Sequence, residues 1–217
     1  MSSAATKIHE DRDVDRKPVT EVINGRYRIL RCLGKGGMGD VCLVADDCKE
    51  DLPLALKRVR QDKEDSKSAS VLRSEYFSLV RLPHPNLVKA FDFGVDQKTG
   101  DLFYTAEYVD GVNCLHVART LDLREPESQR VFFEFLVQVL RALEFVHSHG
   151  LVHCDIKPEN LLVTRLDANG FGAWTTDLKV KLIDFGLAKE ERTPGGEKIL
   201  GTPYYVAPET ILGSRID

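Results

Sequence analysis

Residues 126–149, PESQRVFFEFLVQVLRALEFVHSH, constrain this chain more than any other stretch. Pro126 suits the first turn of a helix, and Gly150 suits the position just past its end. Between them Val131, Phe132, Phe133, Phe135, Leu136, Val137, Val139, Leu140, Leu143, Phe145 and Val146 cover nearly the whole circumference. A single apolar stripe would suit a surface helix, whereas apolar residues all round require burial on several sides. Other elements must therefore cover this helix.

What precedes the helix follows a different period. From Tyr27, YRILRCLG, DVCLVADD and LPLALKRVR read as strands separated by glycine-rich or acidic turns. In SVLRSEYFSLVRL, Val71, Leu72, Tyr76, Leu79 and Val80 recur at helical spacing, and the prolines of PHP at 83–85 end that helix. LVKAFDFGV and LFYTAEYV are two further strands, joined by DQKTG. Beyond the long helix, LLVT and VKLIDFG read as short strands flanking a turn at DANG. The fold class is α+β, with a strand-rich N-terminal half around one helix and a mainly helical C-terminal half. Residues 1–26 mix both charges with few large apolar groups and read as a disordered polar tail.

With 217 residues the chain can form one large domain or two small lobes. A formal net charge of -4 argues against a nucleic-acid partner, which a basic stripe would attract. Five cysteines, odd in number and without CxxC pairing, point to a reducing compartment. No apolar run approaches the roughly 20 residues of a membrane span, and no signal-peptide core opens the chain. A cytoplasmic setting, with no membrane contact within this chain, is the expectation.

HSHGLVHCDIKPEN, residues 147–160, offers two kinds of chemistry. Three histidines and Cys154 resemble zinc ligands, but no second Cys/His cluster exists to complete a site, so no zinc is expected. The second half carries Asp155, Lys157 and Asn160, and Asp184 of DFG follows Asn160 by twenty-four residues. Phosphoryl transfer needs oxygen ligands for magnesium, a carboxylate near the attacking hydroxyl and a cation on the moving group. These four residues supply each role, although any one alone reads as an ordinary loop residue.

LGKGGMGDV, residues 33–41, carries Gly34, Gly36 and Gly39 at GxGxxG spacing, which dinucleotide folds share. Here the glycines precede a strand instead of opening a helix, so the loop is a hairpin. It either folds over phosphates or is merely structural. Lys57 ends LALK, and Glu75 on the next helix can hold its ammonium in place. Read singly, Lys57 is a solvated strand end and Glu75 an exposed helix acid.

Taken together and in this order, the motifs resemble those of the eukaryotic-type (Hanks-type) protein serine/threonine kinases, with a bacterial flavour in GKGGMGDV. GTPYYVAPE at 201–209 completes the set. The resemblance implies a two-lobed protein kinase domain over 27–217, with an N-lobe at about 27–109, a partial C-lobe at about 110–217, and ATP between them. It implies transfer of the γ-phosphoryl group of Mg-ATP to serine or threonine hydroxyls of protein substrates. Leu33, Gly34, Lys35, Gly36, Gly37, Met38, Gly39, Asp40 and Val41 would form the loop over the phosphates, and Val41, Ala55 and Leu162 would sandwich the adenine. Glu107 and Val109 would offer it backbone groups. Lys57, paired with Glu75, would hold phosphates; Asp155 would accept the hydroxyl proton, beside Lys157. Asn160 and Asp184 would bind Mg2+. Thr193, Thr202 and Glu209 fall in the activation segment, and His153 would pack beneath Phe185.

Several positions depart from the family. Cys154 replaces an arginine that normally reads a phosphate on the activation loop. Ala106 and Ala90 are small where larger residues usually stand, which leaves either an enlarged back pocket or compensation by Phe91 or Phe93. The stretch 164–179 is longer than usual, with Trp174 either packed or marking a contact. The family continues for several helices after the position of residue 217, so the chain reads as C-terminally truncated. A catalytically weak ATP-binding or scaffolding module is the rival reading on that ground.

Overall fold

The computed structural model describes residues 21–36, 39–60, 66–165, 174–190, 202 and 204–211. Strands β1 (Val22–Ile23), β2 (Tyr27–Gly36), β3 (Gly39–Asp46) and β4 (Leu52–Val59) precede helix α1 (Ser66–Arg81). Strands β5 (Ala90–Val95) and β6 (Leu102–Glu107) follow it. The six strands form one antiparallel sheet in the order β1-β2-β3-β4-β6-β5. Period-two alternation gives each strand two faces. On one, Cys42, Val44, Leu54 and Leu56 join Ile23, Tyr27, Ile29 and Phe103 in a small core. The other receives α1, whose Leu72 and Leu79 enter a larger core with Val59, Leu102, Tyr104 and Ala106.

Order begins earlier than the sequence predicts. Val22 and Ile23 pair with Arg28 and Tyr27, and Ile23 is buried. Arg26 holds Asp46 through two hydrogen bonds of 2.8 and 2.7 Å. A two-residue edge strand is too short for periodicity to register, so residues 21–26 do not belong to the tail; residues 1–20 lie outside the described part. The turn at DANG also lies outside it.

The second half opens with β7 (Val112–Asn113) and α2 (Cys114–Ala118). Helix α3 (Pro126–Ser148) has the bounds the proline and glycine signals predict to within a residue, and β8 (Leu151–Val152) follows. A 3₁₀ turn at Pro158–Asn160 leads into β9 (Leu161–Arg165), then β10 (Leu178–Leu182), β11 (Lys189–Glu190) and α4 (Pro208–Ile211). Strands β10, β9 and β7 make a three-stranded antiparallel sheet, and β11 pairs with β8.

Helix α3 packs on β8 and β10 and buries Val131, Gln138, Val139, Ala142 and Val146, which form one stripe. Phe133, Val137 and Leu140 are exposed. Burial on several sides is therefore not met among the described residues, because the elements around α3 reach it mainly from one direction. Gln138 sits in the buried stripe because its amide is fully used. Its Oε1 accepts from Asn86 Nδ2 (2.8 Å) and Val180 N (2.9 Å), and its Nε2 donates to Leu178 O (3.0 Å) and Glu134 Oε1 (2.8 Å). Asn86 and Val88 then bind the backbone of Leu182 at 2.8 and 3.1 Å, which fixes the end of β10 against the loop after α1. Asp184 lies two residues further on. Trp174 packs on the core, with the Arg165 guanidinium 4.5 Å above its ring.

Candidate active site

The glycine stretch is a hairpin, with Leu33, Gly34, Lys35 and Gly36 on β2 and Gly39, Asp40 and Val41 on β3. Gly36 and Gly39 form its last pair; Gly37 and Met38 lie outside the described residues. Glycine is required at position 39. Its φ is +113°, and an added Cβ would stand 2.3 Å from the Arg58 carbonyl oxygen. Register then sets Val41 opposite Lys57 and Ala55 opposite Ala106. Val41, Ala55 and Leu162 are half-buried, so an apolar surface remains accessible beside the lysine.

Lys57 Nζ lies 2.8 Å from both oxygens of Glu75 and 3.1 Å from Asp184 Oδ1. Strand β4, helix α1 and the segment after β10 thus each supply one charge. Burial disfavours the Lys57 cation, but the two carboxylates outweigh that cost and raise its pKa. Burial likewise pushes the Asp184 carboxyl up, yet Lys57 and the Gly186 amide hold it below its usual value. Glu75 is the deepest of the three, and burial pushes its carboxyl up against the pull of Lys57. It is the first of the two acids to take a proton as pH falls.

A second cluster surrounds Asp155. Lys157 Nζ stands 2.7 Å from Asp155 Oδ2 and donates to Thr202 Oγ1 at 2.9 Å. Thr202 donates its backbone N–H (3.1 Å) and hydroxyl (3.0 Å) to Asp155 Oδ1. Asn160 Nδ2 donates to the Asp155 carbonyl (2.8 Å) and to Oδ2 (3.2 Å). Burial pushes the Asp155 carboxyl up, but the bonds from Lys157 and Thr202 outweigh it and hold the group ionised. The Ile183 amide donates to Asn160 O at 2.9 Å, which links the two clusters. The arrangement can hold polyanionic phosphates at Lys57 and accept a proton at Asp155.

The protein kinase domain matches residues 27–217 of the sequence. The chain belongs to the protein kinase family. It is 34% identical to the serine/threonine-protein kinase pkn3 of Myxococcus xanthus, covering 92% of this chain and 36% of that protein. It is 31% identical to the serine/threonine-protein kinase PknB of Mycolicibacterium smegmatis (90% and 30% covered). A probable serine/threonine-protein kinase PknB of Lactococcus lactis is 29% identical (91% and 30% covered). The chain spans about a third of the length of these bacterial kinases. The family uses ATP and a divalent metal and acts on protein substrates.

His153 packs edge-on against Phe185 at 4.6 Å, both rings buried. Burial lowers the His153 pKa to about 4, and its Nδ1 accepts from the Asp155 amide at 3.3 Å. His149 instead packs at a tilt against Phe145 at the end of α3, with Nδ1 2.8 Å from the Phe145 carbonyl oxygen. The two imidazoles serve different elements, and among the described residues no group of three or more His, Cys, Asp or Glu is placed to hold a metal. Cys154 Sγ–H donates to the Val152 carbonyl at 3.5 Å. Cys154 and Asp184 both take φ +63°, a left-handed conformation that costs a non-glycine residue about 1–2 kcal/mol. The space beside Ala90 and Ala106 belongs to a core that Tyr76, Phe93 and Tyr104 help fill, with Tyr76 5.2 Å from Phe93 and 6.1 Å from Tyr104. Phe91 faces the other core.

Glu107 differs from expectation in one respect. Its amide donates to Lys89 O at 2.8 Å, which leaves the carbonyl as its backbone group for a ligand. Its carboxylate pairs with buried Lys181 at 2.6 Å, and Lys181 also donates to Leu87 O at 3.2 Å. Val109 O accepts from Gly111 N at 3.0 Å. Sequence reasoning missed Lys181 and Tyr104, since neither lies in a motif. Glu209 lies in α4, and no membrane-length apolar helix occurs among the described residues. Thr193 lies outside them.

Proposed function

We propose that the chain is a protein serine/threonine kinase that transfers the γ-phosphoryl group of Mg-ATP to serine or threonine hydroxyls of proteins. The observation that carries this reading is the Lys57 ammonium held within 3.1 Å of both Glu75 and Asp184, one strand-width from the glycine hairpin. In the kinase family such a lysine holds the α- and β-phosphates.

The nucleotide lies between an N-lobe of about 27–109 and a C-lobe of about 110–217. Its adenine sits between Val41, Ala55 and Leu162, with the Glu107 carbonyl and the Val109 backbone at its edge. Leu33 and Gly34 to Asp40 cover the phosphates. Asp184 and Asn160 suit Mg2+, a hard cation that takes oxygen ligands: a carboxylate and an amide whose nitrogen is already committed to Asp155. When bound, the metal neutralises charge developing on the phosphates.

The chain's own residues perform the rest. Asp155, ionised and fixed on both oxygens, accepts the proton of the substrate hydroxyl. That oxygen bonds to the γ-phosphorus as the bond to the β–γ bridging oxygen breaks and ADP leaves. Lys157 stands beside Asp155 where the moving phosphoryl charge needs a cation, and Thr202 shapes the ground next to the acceptor. Lys157 in this position is the family's mark of serine/threonine rather than tyrosine acceptors.

Incubation with γ-labelled ATP and a protein substrate, followed by phosphoamino-acid analysis, tests the reading. Label on serine or threonine, abolished by Lys57→Met, is the expected result. Near wild-type transfer by that variant overturns the proposal.

A further inference from the structure

The Glu75 carboxylate has a third hydrogen bond that the roles above do not use. Tyr104 Oη–H donates to Glu75 Oε1 at 2.8 Å. Both groups are shut away from water, at 5% and 1% exposure, so neither has a solvent alternative. Tyr104 and Lys57 are direct cross-strand partners on β6 and β4. Their side chains leave the same face of the sheet and converge on one carboxylate from α1. The phenol ring is pinned in turn. It lies 6.1 Å from Tyr76, which packs on Phe93 and donates its hydroxyl to the Phe91 carbonyl at 3.1 Å.

An ammonium is a compact charge with rotatable donors and defines no single geometry for its partner. Lys57 is also shared with Asp184, and a bound nucleotide would draw it further towards phosphate. As Lys57 shares its charge, Glu75 needs a second donor that does not move. Tyr104 is that donor, neutral and built into the middle of the sheet. Burial, together with the adjacent Glu75, raises the phenol pKa well above its ordinary value, so it keeps its proton.

We infer that Tyr104 is a positioning residue for phosphoryl transfer, fixing Glu75 and through it the Lys57 ammonium in the geometry the nucleotide requires. The inference rests on the kinase reading. The groups facing Glu75 are Lys57 from β4, Tyr104 from β6 and Asp184 from the segment after β10. Of these, Lys57 and Tyr104 favour the ionised carboxylate and Asp184 opposes it. Removing the phenol hydroxyl therefore leaves Glu75 held only by the shared Lys57 ammonium.

The test is Tyr104→Phe in the full chain, which keeps the ring and its packing. The expected result is a fall in kcat of about tenfold, equivalent to about 1.4 kcal/mol, with little change in KM for ATP. 3-Fluorotyrosine at 104, which keeps the donor, restores kcat. A purely packing role would not lower kcat while leaving KM in place. An unchanged kcat overturns the inference, as does a loss that tracks only the unfolded fraction. The Glu75 carboxyl resonance, followed by carbon NMR without nucleotide, is independent of turnover and should lose the single hydrogen-bonded position of the wild type in the variant. If wild type transfers no phosphate the kinase reading fails, whereas an identical Glu75 resonance in both proteins removes Tyr104 alone.

Discussion

Thr202 grips Asp155 twice, donating its backbone N–H and its hydroxyl to the same carboxylate oxygen at 3.1 and 3.0 Å. The two residues are 47 positions apart, so the contact exists only if the backbone at Thr202 comes back to the loop that carries Asp155. It leaves Asp155 ionised and aimed, with Lys157 on the other oxygen.

Asp155→Ala should therefore lower phosphate transfer by roughly 10²–10⁴-fold, the usual worth of a positioned proton acceptor. Nucleotide affinity should stay unchanged, because Lys57 and Asp184 are untouched. Thr202→Val keeps the amide bond and loses only the hydroxyl, so its loss should be nearer tenfold, about 1.4 kcal/mol. Initial rates beside calorimetric nucleotide binding separate the two effects; near wild-type turnover by Asp155→Ala contradicts the assignment.

Stability should depend on pH through His153. Its folded pKa is held down to about 4 by burial, while in the unfolded chain it returns to about 6.5. Between these values the unfolded chain binds the extra proton, so stability is complete above about 6.5 and is lost as pH falls towards 4. The whole window is worth roughly 3 kcal/mol. Urea unfolding at several pH values reads it, and the difference from His153→Phe isolates the imidazole from the nearby acids.

Cys154 brings a thiol, bonded to Val152 O, to the place where the family has a phosphate-reading arginine. Thr193→Ala should consequently retain most of the kinase activity. A loss of tenfold or more, about 1.4 kcal/mol of transition-state stabilisation, would mean that another basic group reads a phosphate there.

Lys181 is buried with its ammonium on Glu107 and on the Leu87 carbonyl. Lys181→Met removes both bonds and leaves the Glu107 carboxylate and the Leu87 carbonyl without that donor. The cost should be about 1–3 kcal/mol, seen as a lower denaturation midpoint at unchanged slope. An unchanged midpoint would show that water replaces the ammonium without loss.

Phe133 and Leu140 on α3 are 60% and 61% exposed. The 217-residue polypeptide should bind hydrophobic dyes and self-associate through this face. Phe133→Gln with Leu140→Gln should suppress both while costing no more than about 0.5 kcal/mol per site. Light scattering and dye fluorescence check it, and a wild-type chain that is monomeric and dye-silent contradicts it.

The sequence by itself determined the strands from Tyr27 to Glu107, the helices α1 and α3, and the motif residues of the kinase family. Periodicity of 2 or 3.6 and the spacing of Gly, Asp, Lys and Asn are local properties, written wherever a residue repeats within a turn or a strand. The early start at Val22 escaped because two residues cannot display a period. Which side of α3 is buried also escaped, because a helix apolar all round does not say where its neighbours lie. Only tertiary structure decided that Tyr104 meets Glu75 across 29 positions, Lys181 meets Glu107 across 74, and Thr202 meets Asp155 across 47. Those contacts depend on strand register and on how the loop after α1 docks on β10. A one-residue slip in β6 would turn Tyr104 to the opposite face of the sheet and leave Glu75 with Lys57 alone.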